Sequence, residues 1–171
     1  MRAVRLSDEL LRAMQDHARA TYPDECCGFL VARESTEADP GPREVVGVEP
    51  APNEFEGERR RRFLLRPDEL RSAEARAAER HEVVVGFYHS HPDHPARPSL
   101  FDQEHAWPWY TYLVLGVTAR GAGAPGAFEL DPHSREFREV PLTQGGERVT
   151  PRPCRRGKRK GVNDHPLKRV A

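Results

Sequence analysis

The stretch from His89 to Asp102 carries side chains that could hold a metal ion and support hydrolysis. His89 and His91 end an apolar run typical of a strand, and side chains two residues apart on a strand point to the same side. Both imidazoles can therefore reach one point. The proline-rich residues that follow can turn the chain back, so that the Asp102 carboxylate becomes a third ligand. Two imidazoles and a carboxylate suit zinc, and three protein ligands leave the fourth position of a catalytic zinc site for water.

The residues alone leave other interpretations of this stretch open. An H-x-H pair is by itself mostly a chance occurrence. Asp93 and His94 could be alternative ligands, although a proline-rich turn more often exposes such side chains to solvent. Other zinc-binding motifs are absent from the sequence. His81-Glu82 is not the start of H-E-x-x-H, because position 85 is not a histidine. The H-x-E and P-C-x-x-C pair of nucleoside deaminases is also absent, which disfavours that function.

The spacing in this stretch, H-S-H followed by seven residues and S-x-x-D, resembles the motif of the JAMM (MPN+) metallopeptidases. Two further segments are similar to that family. Residues 22–28 (YPDECCG) resemble its P-x-E-x-C-G segment, and Asn53 together with residues 63–70 (FLLRPDEL) resembles its intermediate stretch. The resemblance covers most of residues 1–118 and implies a metallopeptidase fold.

This resemblance also implies roles for individual residues. His89, His91 and Asp102 are expected to bind zinc. Glu25 is expected to be the general base on zinc-bound water, taking its proton and later delivering it to the leaving amine; without the histidine segment it would be interpreted as a surface acid. Ser99 is expected to donate to the developing oxyanion, and its other interpretation is the N-cap of a short helix.

JAMM enzymes divide by substrate, and this short chain resembles the stand-alone bacterial members. That resemblance implies hydrolysis of an amide bond after the C-terminal Gly-Gly of a ubiquitin-like or sulfur-carrier protein. A Gly-Gly tail suits a narrow groove, because an extended strand without side chains can enter it and pair with a sheet edge. Two other functions stay open: a non-catalytic binding module of the same fold, and a DNA-associated protein similar to the RadC relatives. The presence of every motif residue argues against the first, and the acidic main body argues against the second.

Around these side chains the sequence predicts a single JAMM/MPN-type α/β domain with a mixed central β-sheet flanked by helices. Apolar residues recur along one helical stripe after Ser7, which can cap that helix. The predicted helices cover 8–20, 67–81 and a short segment that starts at Ser99. Ser99 and Asp102 resemble a capping box there, with Asp in place of the usual Glu or Gln. The predicted strands cover the run from Cys26, 43–49, 60–65, 82–89 and 110–118, followed by a hairpin of 127–131 with 136–141.

Charge divides this chain of 171 residues, whose formal net charge is zero, into two parts. Eight of the 27 Lys/Arg and one of the 27 Asp/Glu lie in residues 151–171, giving +7; the remaining 19 and 26 give the first 150 residues −7. We predict a domain over 1–142 and a basic C-terminal tail over 143–171 that is disordered unless bound, since it offers little to a core. The run Arg59–Arg62 is interpreted as a solvated strand edge that could also meet an acidic partner.

Hydropathy and cysteine content predict the compartment. The mean hydropathy is −0.78, the first twenty residues carry frequent charges, and no apolar run approaches the roughly 20 residues of a membrane span. Three cysteines form no readable disulfide framework, and the adjacent Cys26 and Cys27 are interpreted as small buried side chains. We expect a cytoplasmic protein that binds neither membrane nor nucleic acid. Its oligomeric state stays open, a homodimer included.

Overall fold

In this computed structural model, which describes residues 2–34 and 41–145, nine strands and three helices form. The helices are α1 (Asp8–Thr21), α2 (Pro67–Glu79) and α3 (Leu100–His105). The strands are β1 (Val4–Leu6), β2 (Cys27–Arg33), β3 (Arg43–Ala51), β4 (Glu82–Pro92), β5 (Thr111–Thr118), β6 (Gly121–Ala122), β7 (Gly126–Leu130), β8 (Phe137–Glu139) and β9 (Leu142–Gln144).

The strands join in one mixed sheet, which confirms the predicted α/β class. Their order is β8-β7-β5-β4-β2-β3-β1-β9, and β6 pairs with β5 outside this path. The central strand β4 runs antiparallel to β2, with Cys27 opposite His89, and parallel to β5, with Val114 beside His89. Because β4 is bonded on both sides, the residues near its carboxyl end are held in a fixed register.

Two hydrophobic clusters cover opposite faces of the sheet, and successive residues of β2 and β4 contribute to them alternately. Phe29 and Phe87 pack in one cluster with the buried face of α2, which includes Leu70 and Ala73. The next residue of each strand, Leu30 and Tyr88, packs in the other cluster with Met14 and Ala18 of α1. This two-residue alternation is what a sheet covered on both faces requires.

The predicted helices are present, with small differences at their ends. Ser7 caps α1 by accepting a hydrogen bond from the N–H of Leu10 at 3.2 Å, as predicted. Pro67 begins α2, which ends at Glu79 rather than at 81. The earlier end follows from His81, which has a φ of 56° in the left-handed region and turns the chain into β4.

The predicted strand over 60–65 is wrong. Turn residues occupy 59–61, and only Leu65 makes an isolated bridge. The side chain of Asn53 bonds the backbone of this segment instead, accepting from the N–H of Leu64 at 3.2 Å and donating to the carbonyl of Arg62 at 3.0 Å. The side chain of Asn53 thus makes hydrogen bonds to backbone groups that a neighbouring strand would otherwise bond. Strand propensity does not predict such a contact.

Several strand bounds differ from the prediction, and two of these differences affect the site and the expected domain boundary. β4 continues past residue 89 to Pro92, so both histidines lie inside the strand. β9 pairs in parallel with β1 and reaches Gln144, two residues beyond the expected boundary at 142. The remainder of the predicted tail, from 146 onward, lies outside the described residues. Within the described part of the chain, no helix is long and apolar enough to cross a membrane.

Candidate metal centre

Three buried side chains meet beside the end of β4. The Nε2 atoms of His89 and His91 lie 3.0 Å apart. The Asp102 carboxylate reaches both rings, with Oδ1 at 3.5 Å from His89 Nε2 and Oδ2 at 3.2 Å from His91 Nε2. Ser90 points the other way, and its Oγ accepts a hydrogen bond from the N–H of Cys26 at 2.9 Å. The structure thus brings together the three side chains that the sequence singled out as ligands.

The spacing of these atoms fits a metal ion. Tetrahedral zinc with ligand bonds of about 2.0–2.1 Å places its ligand atoms about 3.3–3.4 Å from one another. The two histidine Nε2 atoms, 3.0 Å apart, fall near that value. The Asp102 contacts of 3.5 and 3.2 Å are made by its two different oxygens, and one ligand atom from each of the three side chains lies within 4.8 Å of the others. Burial lowers the pKa of His89, while the neighbouring Asp102 carboxylate acts in the opposite direction. The donor set and its spacing therefore suit a metal ion.

Asp102 is fixed by the helix that carries it. Ser99 and Asp102 form a capping box at the start of α3: Asp102 N–H donates to Ser99 Oγ at 3.1 Å, and Asp102 Oδ2 accepts from Ser99 N–H at 2.6 Å. The Ser99 hydroxyl also donates to that oxygen at 2.7 Å. Burial by itself would raise the pKa of Asp102, but the two histidine rings outweigh it and hold the pKa well below its usual range. The carboxylate is thus ionised and aimed at the rings.

The imidazole of His89 stacks on a neighbouring ring, and its second nitrogen makes no hydrogen bond within the described part of the chain. Its ring lies on that of Phe63, with centroids 4.6 Å apart and planes inclined by 25°. Its Nδ1 is buried and has no hydrogen-bond partner among the described residues. Ligating histidines usually donate this second ring nitrogen to an acceptor, which sets their orientation. Here packing against Phe63 takes the place of that hydrogen bond. The sequence does not predict this contact, because an apolar residue in a loop gives no indication of the side chain against which it will pack.

Glu25 lies buried beside this cluster, at 3% exposure. Burial, reinforced by the charge of Asp102, raises the pKa of Glu25 to about 9. Its backbone is tied on both sides: the N–H donates to the carbonyl of Arg59 at 2.8 Å, and the carbonyl accepts from Asn53 Nδ2 at 3.1 Å. In the metal-free protein this carboxyl holds its proton at neutral pH, and a cation bound by the neighbouring side chains would lower its pKa and allow it to accept a proton.

Asn53 joins the Glu25 segment to the arginine-rich loop. Its amide donates to the carbonyls of Glu25 and Arg62, and its carbonyl oxygen accepts from the N–H groups of Phe55 at 3.1 Å and Leu64 at 3.2 Å. All four hydrogen bonds available to the side chain of an asparagine are therefore used on backbone groups. The sequence alone did not predict this linking role for Asn53.

The weaker candidates are not part of the cluster. Asp93 is exposed and instead accepts a hydrogen bond from the hydroxyl of Tyr22 at 3.1 Å, and His94 is exposed in the loop after β4. Cys26 and Cys27 are buried and free, and burial raises the pKa of both thiols, that of Cys26 to about 11. Thiols held protonated in this way are poor nucleophiles.

The chain is similar to several known proteins. Residues 7–130 match the family model described as prokaryotic homologs of the JAB domain. Over 114 residues, 66% of this chain and 77% of the relative, it is 33% identical to a desampylase of Haloferax volcanii. Over 137 residues, 80% of this chain and 81% of the relative, it is 29% identical to a CysO-cysteine peptidase of Mycobacterium tuberculosis. A solution structure of a Desulfitobacterium hafniense protein matches it with a TM-score of 0.71 and 27% identity, covering 84% of this chain and 94% of that one.

Proposed function

The chain belongs to the family of prokaryotic homologues of the JAB domain, and from this premise we propose that it is a zinc-dependent peptidase. Its substrate would be a ubiquitin-like or sulfur-carrier protein, cut at the amide bond after a C-terminal Gly-Gly. The observation that carries the proposal is the buried cluster of His89, His91 and Asp102 beside Glu25, in which one ligand atom from each of the three side chains lies within 4.8 Å of the others.

Zinc held by His89, His91 and Asp102 would supply a Lewis acid that polarises the scissile carbonyl and acidifies water. The residues of the chain supply the proton transfers. Glu25, buried beside the candidate ligands, takes the proton of the attacking water and delivers it to the leaving amine. Both steps need a carboxyl that exchanges one proton in place, and the backbone ties of Glu25 keep it there.

Ser99 would stabilise the oxyanion that forms during attack. Its side chain stands at the exposed rim of the site, and its hydroxyl already donates to Asp102 Oδ2. A hydroxyl has one proton, so the donor bond must pass from Asp102 to the oxyanion for this role. The accepting bond from the Asp102 N–H can persist meanwhile, and α3 keeps its cap.

The substrate class is supported by the names of two relatives, a desampylase and a CysO-cysteine peptidase. A Gly-Gly terminus fits physically, since a chain without side chains can approach a buried site and pair with backbone groups. The free state of Cys26 and Cys27 accords with a reducing compartment, and we place the protein in the cytoplasm.

We retain the division into a catalytic domain over 1–142 and a basic tail over 143–171 as a proposal. All five proposed site residues lie between positions 25 and 102. Deleting residues 151–171 is therefore expected to leave the metal content and the melting temperature unchanged. A truncated protein that is insoluble or has lost its metal would show that the domain extends into the tail.

Metal analysis combined with mass spectrometry tests the function. Purified protein is expected to hold one zinc per chain, and His89→Ala with His91→Ala is expected to hold none. With a carrier–peptide fusion joined after Gly-Gly, the wild type is expected to cut at that junction and the double variant to leave the fusion intact. Stoichiometric zinc with binding but no cleavage would contradict catalysis and indicate a binding module of the same fold.

A further inference from the structure

The run Arg59–Arg62, called here the arginine surface, is attached directly to the metal centre. The carbonyl of Arg59 accepts the backbone hydrogen bond of Glu25 at 2.8 Å. The guanidinium of Arg60 lies 3.9 Å from Asp93, which follows the second histidine ligand by two residues. The run therefore contacts the segment of the proposed base and the segment that follows the histidine ligands.

The last arginine of the run contacts the third site segment. The guanidinium of Arg62 lies 4.4 Å from the ring centre of Phe101, the residue before the aspartate ligand, and 5.9 Å from that of Phe55. The two rings meet edge to face at 6.5 Å. Leu100, which begins α3 on the same segment, is 78% exposed. An arginine held over aromatic rings beside an exposed leucine has the composition of a protein interface centre.

The charges of this surface are weakly compensated by the protein. The side chains of Arg60 and Arg61 are 56% and 70% exposed, and their carboxylate partners Asp93 and Glu58 lie at 3.9 and 3.7 Å. By contrast, the two arginines that bind Glu49 elsewhere on the protein do so at 2.6 and 2.8 Å. Long, exposed pairs contribute little and leave the guanidinium groups available to another partner.

We propose that the arginine surface docks an acidic face of the carrier protein whose C-terminus enters the metal centre, an inference that rests on the proposed function. The first 150 residues carry −7, yet four of their 19 basic residues are consecutive at this one place. An acidic partner is repelled by most of the body and attracted here, which orients it during encounter. Docking next to the site delivers its flexible Gly-Gly tail to the bound metal.

A folded acidic protein fits this surface better than a nucleic acid does. Three exposed glutamates flank the run, at Glu54, Glu56 and Glu58. A long phosphate backbone would cross these carboxylates and the acidic body, and their negative charges would repel its phosphates along its length. A compact partner with a local acidic patch covers a smaller area and meets fewer of these carboxylates.

Charge reversal tests the proposal against a variant of equal net charge. The test variant is Arg60→Glu with Arg61→Glu, and the control is Arg12→Glu with Arg120→Glu, two exposed arginines on α1 and in the turn after β5. Two substrates are compared: a Gly-Gly carrier of net negative charge extended by a peptide tag, and a short peptide with the same C-terminal sequence. Circular dichroism and zinc content establish that each variant is folded.

The readout is the ratio of kcat/KM for the carrier to kcat/KM for the peptide. The test variant is expected to lower this ratio at least about tenfold at about 0.1 M salt, through KM, and to lower it much less at about 1 M salt. The control variant is expected to keep the wild-type ratio. An unchanged ratio in the test variant, or an equal fall in the control, overturns the docking surface.

Two further arms keep this proposal separable from the proposed function. If the wild type cleaves neither substrate, the proposed function fails, and the Kd of the tagged carrier for the Glu25→Gln protein, with and without the charge reversal, still decides the docking surface. A DNA duplex that the wild type binds more tightly than the carrier, and that the reversal variant releases, assigns the surface to nucleic acid and overturns the proposal.

Discussion

The two ends of strand β4 both gather acids and bases, but under opposite conditions. At its beginning, Glu82 and Glu49 form ion pairs with Arg80 and Arg76, all between 2.6 and 2.8 Å, at the surface of the protein. We call these four residues the surface network. At its other end lies the buried site, where the metal-ligand cluster sits beside Glu25.

The surface network balances its own charges. Its two carboxylates face two guanidinium groups, and water screens what remains, so exposed pairs of this kind contribute about 0–1 kcal/mol each. It needs no added cation to balance its charge.

The buried site does not balance its charges. It holds two carboxyl groups, Glu25 and Asp102; burial raises the pKa of Glu25, whereas the two histidine rings lower that of Asp102. The protein places no lysine or arginine ion pair on either carboxylate among the described contacts. A bound divalent cation would supply positive charge to this cluster, whereas the surface network requires none. Burial, rather than residue type, separates a structural ion network from a reactive one.

The largest expected effect is on kcat, which should fall when a carboxyl is removed from the buried site but not when one is removed from the surface network. Glu25→Gln is expected to retain zinc and fold but lose about 10²–10⁴-fold in kcat, because an amide cannot accept the proton of the attacking water. The matched variant Glu49→Gln removes a carboxylate from the surface network and is expected to keep the wild-type kcat. Steady-state kinetics on a carrier fusion, with metal analysis of each variant, measures both. Full activity in Glu25→Gln would refute its assignment as the base.

A second comparison uses two serines that cap helices. Ser99→Ala and Ser7→Ala each remove an N-cap hydrogen bond, and each is expected to cost about 1 kcal/mol of unfolding free energy. Ser99→Ala is expected also to lose about 10²–10³-fold in kcat if its hydroxyl stabilises the oxyanion. Urea unfolding and kinetics on both variants decide this. Equal loss of stability with no rate loss at either position would leave Ser99 as a cap alone.

The site was predictable from the sequence where local rules govern it. The two-residue alternation of a strand predicted that His89 and His91 lie on one side of β4. The spacing of Ser99 and Asp102 predicted a capping box, which the structure contains. Phe63 and Asn53 were not predictable in the same way. Their roles depend on which distant segment folds against them, and the wrong strand over 60–65 has the same cause: Asn53 satisfies backbone groups that propensity assigns to a neighbouring strand.

The two ends of β4 are also expected to respond to pH with opposite signs. Burial raises the pKa of Glu25 from 4.5 to about 9 in the metal-free protein, so the folded state retains a proton that the unfolded state releases above 4.5. Its contribution to stability is therefore lost as pH rises toward 9. Partial burial alone would raise the pKa of Glu49, but hydrogen bonds from Arg80 and Arg76 outweigh it and lower the pKa. That contribution is present above 4.5 and lost as pH falls below it.

Unfolding in urea with a chelator present measures this contrast. The free energy of the wild type minus that of Glu25→Gln is expected to fall between pH 5 and 8; the histidine contributions cancel in this difference. The free energy of the wild type minus that of Glu49→Gln is expected to stay level over the same range and to fall only below pH 4.5. Parallel profiles for the two variants would contradict the division into a buried and an exposed region.

The smallest effect is expected at the surface network itself. Arg76→Ala removes one partner of Glu49, but Arg80 still pairs with that carboxylate at 2.6 Å, and the side chain of Arg76 is 47% exposed. The expected loss of unfolding free energy is below about 1 kcal/mol, and it should shrink further near 1 M salt, where the Debye length is about 3 Å. Zinc content and kcat are expected to match the wild type, because β4 transmits its register through backbone hydrogen bonds that Arg76 does not make. If Arg76→Ala instead lost zinc or several kcal/mol, the surface network would be holding the site in place, and the two ends of β4 would have to be treated as one coupled unit.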